Sequence, residues 1–240
     1  MISETGISLS SETKKMDLKT IALILTLIVC YCESKVTYSV SAVEKGAFDL
    51  GEGPHWDEKE QVLWHVDING FAVCRLNTTT GDSECHKLTD LLTLVHPYPN
   101  GEDLLITQRN KMLKLNWKTK KTTFIGEVAP ELKAIERFND GKADASGRLW
   151  MGTIYDSKEG VIKGKGNLYK WENNKFVKQA EGFWLTNGMT WSHDNKKMYV
   201  NDSEGRKIYV FDFDLKTGTV CKYLFVFFFI QLISCIKRFD

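Results

Sequence analysis

Short runs of alternating apolar and polar residues, separated by turn residues, fill the chain from residue 51 to residue 222. Such alternation over about four to eight residues is typical of β-strands that bury one face. Asn-Gly, Asn-Asn, Asp-Asn and Thr-Gly pairs mark turns between these runs. Since no stretch in this region has the pattern of a long amphipathic helix, the sequence predicts an all-β protein.

The strand pattern repeats four times, each time as a polar residue beside Gly or Pro, a turn, and an apolar strand. The polar residues are Glu52, His96, Asn139 and Asn187, at spacings of 44, 43 and 48 residues. A period of about this length, built from short strands, is typical of β-propeller blades. Equivalent positions of all blades face one central axis, so Glu52, Asn139 and Asn187 are expected to meet there. Three oxygen-bearing side chains suit a hard divalent cation.

The N-terminal segment has the pattern of a targeting sequence. Residues 1–15 are polar, and an apolar run at 21–29 follows lysines and precedes small residues. This pattern predicts a polar leader and a secretory signal peptide over 1–34, with a buried helix or strand as the alternative. We therefore expect a secreted protein or one in the secretory pathway; a cytoplasmic protein is the alternative.

The C-terminal segment departs from the repeat. Residues 35–222 are expected to form a partial propeller, whereas residues 223–236 are almost wholly apolar and contain no turn residues. The run is short for a membrane helix, so no stable membrane span is expected. We interpret 223–240 as an aberrant tail, produced by a truncated or mis-spliced reading frame.

Composition and cysteine placement limit the possible partners and the redox state. The 240 residues are 42% hydrophobic and 26% charged, with a net charge of +1. This is an ordinary globular composition, and the small net charge argues against a nucleic-acid partner.

Cys74 and Cys85 flank a predicted hairpin turn and stand opposite each other when Asn77 pairs with Asp82. They are expected to be either a cross-strand disulfide or two free thiols.

Three motifs resemble those of one family. They are Gly51-Glu-Gly-Pro-His-Trp56, Arg137-Phe-Asn-Asp-Gly-Lys142 and Thr186-Asn-Gly-Met-Thr-Trp-Ser192. Their order and spacing resemble the regucalcin/senescence-marker-protein/gluconolactonase family, to which insect luciferin-regenerating enzymes are similar. The resemblance covers about residues 38–222 and implies a six-bladed β-propeller, of which this chain holds about four blades.

The resemblance also implies a chemistry. Members of the family carry one divalent cation (Ca, Zn, Mn or Mg) on the propeller axis and hydrolyse sugar lactones. By motif, Glu52 and Asn187 correspond to metal ligands, and Arg137 and Asn139 to residues that bind the substrate. An acidic substrate contact of the family falls near Ser157, which is not acidic. The family's catalytic base is an Asp in a later Asp-Gly-Met motif that is not found here, so the catalytic residue is unknown and little lactonase activity is expected of these 240 residues.

Three functions are therefore weighed: a metal-dependent lactone hydrolase, a non-enzymatic calcium-binding regulatory protein, and a fragment without function. Whether the chain is an enzyme is left open at this point. Asp140, Asp144 and Asp202 are interpreted as structural turn residues. His96 shares the repeat position of Glu52, but the resemblance does not make it a ligand, and it is left out of the predicted site.

Overall fold

The computed structural model describes residues 39–40 and 48–226, and these contain seventeen β-strands and one short 3-10 helix, Pro130–Leu132. The predicted signal peptide (1–34) and residues 227–240 of the predicted tail lie outside the described residues. Across the described part of the chain, no helix has the length and apolar character needed to cross a membrane.

The strands form four antiparallel sheets, each built from consecutive segments of the chain. Blade 1 contains β1 (Gly51–Asp57), β2 (Val62–Asp67), β3 (Ala72–Asn77) and β4 (Ser83–Lys87). Blade 2 contains β5 (Leu92–Pro97), β6 (Asp103–Gln108), β7 (Lys111–Asn116) and β8 (Thr122–Glu127). Blade 3 contains β9 (Glu136–Ala143), β10 (Leu149–Ser157), β12 (Gly166–Glu172) and β13 (Lys175–Phe183), with β11 (Gly160–Val161) paired to the end of β10. Blade 4 contains β14 (Thr186–Trp191), β15 (Lys197–Asp202), β16 (Lys207–Asp214) and β17 (Thr219–Val226).

The buried apolar side chains lie between neighbouring blades, as in a propeller. One cluster joins Trp64 of blade 1 to Leu92 and Ile106 of blade 2. A second joins Leu94 to Phe138 and Met151 across blades 2 and 3, and a third joins Trp150 of blade 3 to Met198 and Phe211 of blade 4. Packing sheet faces against each other removes the large apolar surfaces that the alternating pattern creates. Four blades of a β-propeller, as the sequence predicted, are therefore confirmed.

In two blades an aspartate at the end of the second strand accepts backbone hydrogen bonds from the neighbouring turns. Asp67, at the end of β2, accepts hydrogen bonds from the backbone N–H groups of Leu50 and Gly70 at 3.0 and 3.1 Å. Asp202 does the same at the end of β15, where the donors are Leu185 and Gly205. A Cβ on Gly70 would lie 2.3 Å from Asp67 Oδ2, so the turn requires glycine. Asp202 is thus a structural residue.

The hairpin of β3 and β4 carries the cysteine pair. Cys74 and Cys85 are direct cross-strand partners and form a disulfide with a Cα–Cα distance of 4.1 Å. The structure therefore selects the disulfide over two free thiols. Cys74 is fully buried, so the bond ties the outer strand of blade 1 to its interior.

Removing this disulfide is expected to destabilise the protein. The bond closes a loop with a sequence separation of 11 residues, and loops of this size contribute about 3 kcal/mol through restriction of the unfolded chain. The double variant C74A/C85A should therefore lower the free energy of unfolding by about this amount in urea titrations. C221A is the matched control, because Cys221 is a free, exposed thiol; equal midpoints for the two variants would show that the bond contributes nothing.

The fourth blade extends beyond the boundary expected from the sequence. β17 runs to Val226, and its pairing with β16 continues as far as Val226 opposite Ile208. The predicted boundary at residue 222 therefore lies within a strand. The absence of polar alternation led the sequence analysis to end the blade early, but backbone pairing requires no such alternation.

Candidate functional site

The first strands of the four blades, β1, β5, β9 and β14, line a pocket that we call the axial pocket. β1 contacts β5, β5 contacts β9, and β9 contacts β14. The pocket has a volume of about 350 Å³. Its polar and charged lining comes from β1, β5 and β9, with backbone from β14: Glu52, His55, His96, Asp140, Lys142 and Gly188.

Two carboxylates converge in the axial pocket. Glu52 is exposed, while Asp140 is half-buried and accepts a 2.7 Å hydrogen bond from the backbone N–H of Gly141. Burial raises the pKa of Asp140, and the negative charge of Glu52 raises it further, against the opposing effects of Gly141 and Lys142. A Cβ added to Gly188 would lie 3.8 Å from Asp140 Oδ2, so this carboxylate faces β14. Asp140, interpreted from the sequence as structural, is thus also a residue of the pocket.

Arg137 and Asn139 make side-chain hydrogen bonds that link neighbouring strands. Arg137 Nε donates to Asp156 Oδ2 at 2.7 Å, and Arg137 Nη1 lies 3.3 Å from Asn139 Oδ1. Asn139 Nδ2 donates to the backbone oxygen of Thr186 at 2.8 Å, which ties β9 to β14. Neither residue lines the axial pocket, so their substrate contacts stay a prediction. Asp156 is the acidic residue that the structure places beside Arg137, next to the non-acidic Ser157.

Asn187 lies at the edge of the axial pocket, one residue before Gly188. Its Nδ2 donates to Ser203 Oγ at 3.1 Å, and its Oδ1 accepts from the backbone N–H of Gly188 at 3.2 Å. The amide is therefore engaged with its own blade. Of the two residues predicted as metal ligands, Glu52 faces the pocket, and Asn187 is adjacent to it.

The oxygen-bearing side chains at this position fit a hard divalent cation in part. Carboxylates and amide oxygens are the ligands that such cations prefer, and the mutual repulsion of Glu52 and Asp140 would be relieved by a positive ion. In the residues that the structure describes, however, no group of three or more His, Cys, Asp and Glu is arranged to hold a metal. A cation here would rely on Glu52 and Asp140, with the Asn187 amide oxygen beside them.

Two histidines also meet in the axial pocket. His55 Nδ1 and His96 Nδ1 lie 2.9 Å apart, and the rings are in an edge-to-face arrangement with centroids 4.7 Å apart. Burial lowers the pKa of His96 to about 4, with smaller contributions from His55 and Lys142. Burial also lowers the pKa of His55. The sequence analysis missed this pair, although His96 shares the repeat position of Glu52, which was the signal that could have found it.

Acid should destabilise the protein through His96. In the unfolded chain this imidazole binds a proton below about pH 6.5, whereas in the folded protein its pKa is about 4. The unfolded state therefore binds more protons between these values, and stability falls as the pH falls, by up to about 2 kcal/mol at pH 5. Denaturant titrations of the wild type and H96Q at pH 7.5 and pH 5 measure the difference.

The comparison with H96Q isolates this histidine from its neighbours. Protonation of Asp140 has the opposite effect on stability. Because its pKa is higher in the folded protein than in the unfolded chain, its protonation on acidification stabilises the folded state. The wild type should lose more stability than H96Q on acidification. Equal losses would contradict the burial of a neutral imidazole at this position.

A second, more open depression of about 540 Å³ lies away from the axis. Arg109, Ile135, Asp156 and Glu159 line it, and none of the four innermost strands contributes. Because it lies outside the position that all blades share, we take the axial pocket as the candidate site.

Comparisons with known proteins agree with the fold. The profile of the SMP-30/Gluconolactonase/LRE-like region matches residues 50–227. Regucalcin of Gallus gallus is 34% identical over 184 residues, which cover 75% of this chain and 61% of that protein; regucalcin of Danio rerio is 33% identical over 181 residues, covering 75% and 60%. The chain thus spans about three fifths of the length of these relatives.

Solved structures show the same architecture. A luciferin-regenerating enzyme superposes with a TM-score of 0.70 at 27% identity, covering 75% of this chain and 61% of that one. A calcium-binding regucalcin of Agrobacterium tumefaciens superposes with a TM-score of 0.71 at 23% identity, covering 78% and 62%; at this identity the likeness concerns the fold alone. From the match over residues 50–227, together with the four blades and their axial pocket, the chain belongs to the SMP-30/gluconolactonase/LRE-like family.

Proposed function

We propose that the axial pocket belongs to a metal-dependent hydrolase of sugar lactones. The observation that carries the proposal is the convergence of two carboxylates, Glu52 and Asp140, in a pocket lined by the first strand of every blade. Family membership supports a lactonase-type activity. Dependence on a metal and a sugar-lactone substrate are what we propose beyond that activity.

In this proposal Glu52 and Asp140 hold the cation, and the amide oxygen of Asn187 becomes a further ligand when it turns from Gly188. A bound divalent cation polarises a lactone carbonyl and lowers the pKa of a water molecule. Arg137, held in place by Asp156, binds substrate oxygens, and Asn139 orients the substrate beside the cation. No residue of the described chain is assigned the role of general base.

The alternative is a calcium-binding protein without catalytic activity. The same carboxylates would serve it, because calcium prefers oxygen ligands. The observation in its favour is the pair of carboxylates, Glu52 and Asp140, which offers cation ligands in the pocket.

An assay of D-glucono-δ-lactone hydrolysis, after treatment with a chelator and then with added Ca²⁺, Zn²⁺, Mn²⁺ or Mg²⁺, separates the two functions. Hydrolysis that the chelator abolishes and a cation restores supports the hydrolase. Cation binding without hydrolysis supports the binding protein, and the absence of both removes both proposals. In E52Q, added cation should no longer restore hydrolysis. In E84Q it should still do so, because Glu84 lies on the outer strand β4.

A further inference from the structure

The His55–His96 pair brings together two residues that are 41 positions apart in the chain. β1 and β5 each contribute one imidazole, and the two Nδ1 atoms face each other at 2.9 Å inside the axial pocket. Both rings are half-buried. Neither is used in the proposed hydrolysis, and neither carries an oxygen ligand suited to calcium.

The chemistry of the pair differs from that of the carboxylates. Imidazole nitrogen suits Zn²⁺, Cu²⁺ and Ni²⁺, whereas carboxylate oxygen suits Ca²⁺, Mg²⁺ and Mn²⁺. An ion bound about 2.0 Å from both nitrogens would subtend an angle of roughly 90° at their separation of 2.9 Å. That angle matches square-planar and octahedral geometries, which are typical of Cu²⁺ and Ni²⁺, rather than the tetrahedral geometry of Zn²⁺.

We propose that His55 and His96 form a two-imidazole site for a divalent transition metal with square-planar or octahedral geometry, Cu²⁺ or Ni²⁺. The two Nδ1 atoms are the protein ligands, and water fills the other positions. Two protein ligands form a site of modest affinity.

Binding requires a change of tautomer and a rotation of the two rings, because the hydrogen bond aims the Nδ1 atoms at each other; it requires no net loss of protons. In the hydrogen-bonded pair, one neutral ring carries its proton on Nδ1 and donates it to the other Nδ1. When both Nδ1 atoms bind the metal, that ring carries its proton on Nε2. The low pKa of His96, about 4, keeps the ring neutral at pH 7.

The charges around the pair act in both directions. Lys142 lies near both histidines and opposes a cation, whereas Asp57 lies near His55 and favours one. Glu52 and Asp140 line the same pocket and add negative charge. The carboxylates in and beside the pocket therefore outnumber its single lysine.

Calorimetric titration of the chain with Ni²⁺ at pH 7.5 tests the site. The wild type should bind one Ni²⁺, and H55Q and H96Q should each weaken binding roughly tenfold or more. H193Q is the matched control, because His193 is exposed in the turn after β14, and its Ni²⁺ affinity should equal that of the wild type.

The electron paramagnetic resonance spectrum of the Cu²⁺-loaded protein counts the imidazole ligands directly, and for the wild type it does not depend on the folding of a variant. It should show nitrogen couplings from two equivalent imidazoles, and H96Q should show one. The proposal is overturned if the wild type binds no Ni²⁺ or Cu²⁺, or if H55Q and H96Q bind as tightly as H193Q. It is also overturned if E52Q alone loses Ni²⁺ binding, because the ion then occupies the carboxylate site. Absence of Ca²⁺ binding alone would count against the proposed function and not against the imidazole site.

Discussion

Replacing Asp144 with alanine is expected to lower the free energy of unfolding by about 3 to 5 kcal/mol, the range for breaking a buried charged network. The Asp144 carboxylate is fully buried and accepts five hydrogen bonds. Its donors are the backbone and side-chain groups of Ser146 and Arg148 and the indole of Trp150. Burial alone would raise the pKa of Asp144, but these hydrogen bonds outweigh it, and the pKa lies below its ordinary value.

The network also connects two blades, which enlarges the expected effect. Arg148 donates to the backbone oxygens of Leu215 and Lys216 in blade 4 while it is paired with Asp144 in blade 3. Without the carboxylate, a partly buried guanidinium loses its counter-charge and a buried indole N–H loses its acceptor.

Urea titration of D144A against D194A measures the effect. Asp194 accepts similar hydrogen bonds from Ser192 and Lys196, but its turn is exposed. D194A should therefore lower the free energy of unfolding much less than D144A does. A loss of similar size in the two variants would show that burial of the Asp144 network contributes little to stability.

Replacing Glu52 with glutamine is expected to weaken divalent-cation binding by roughly tenfold or more, because cation affinity in oxygen sites follows the charge of the ligands. D140N should have an effect of similar size. Titration calorimetry with Ca²⁺ and Mn²⁺ measures both, with E84Q on the outer strand of blade 1 as the control.

E52Q should also change the titration of its neighbour. Burial is the main cause of the raised pKa of Asp140, and the charge of Glu52 is an additional one. Removing that charge should lower the pKa of Asp140 part of the way toward its ordinary value, which NMR titration of the side-chain carboxyl resonance can follow. An unchanged pKa in E52Q would place the two carboxylates too far apart to share an ion.

The repeat pattern predicted the fold well because strand alternation and turn residues are local properties. Each repeat of about 45 residues folded into one blade, and Asp144 and Asp202 occupy the turns where the sequence placed them as structural residues. The end of blade 4 was predicted too early, since the pairing of β17 with β16 continues through residues without alternation.

The site was harder to predict because it depends on where each side chain points after the blades pack. Asn139 and Asn187 lie at the expected repeat positions, yet their amides bond Thr186 and Ser203. The His55–His96 contact depends on the rotation of blade 2 against blade 1. No local pattern encodes that rotation, so the sequence showed that polar residues gather near the axis without showing which of them touch.

Anomalous diffraction from crystals soaked in Mn²⁺ tests the central claim most directly, because it locates the cation without any assumption about activity. The account predicts one strong peak in the axial pocket, within about 2.2 Å of a carboxylate oxygen of Glu52. A pocket without a peak, or a peak bound elsewhere on the chain, would contradict the assignment of the axial pocket as the metal site.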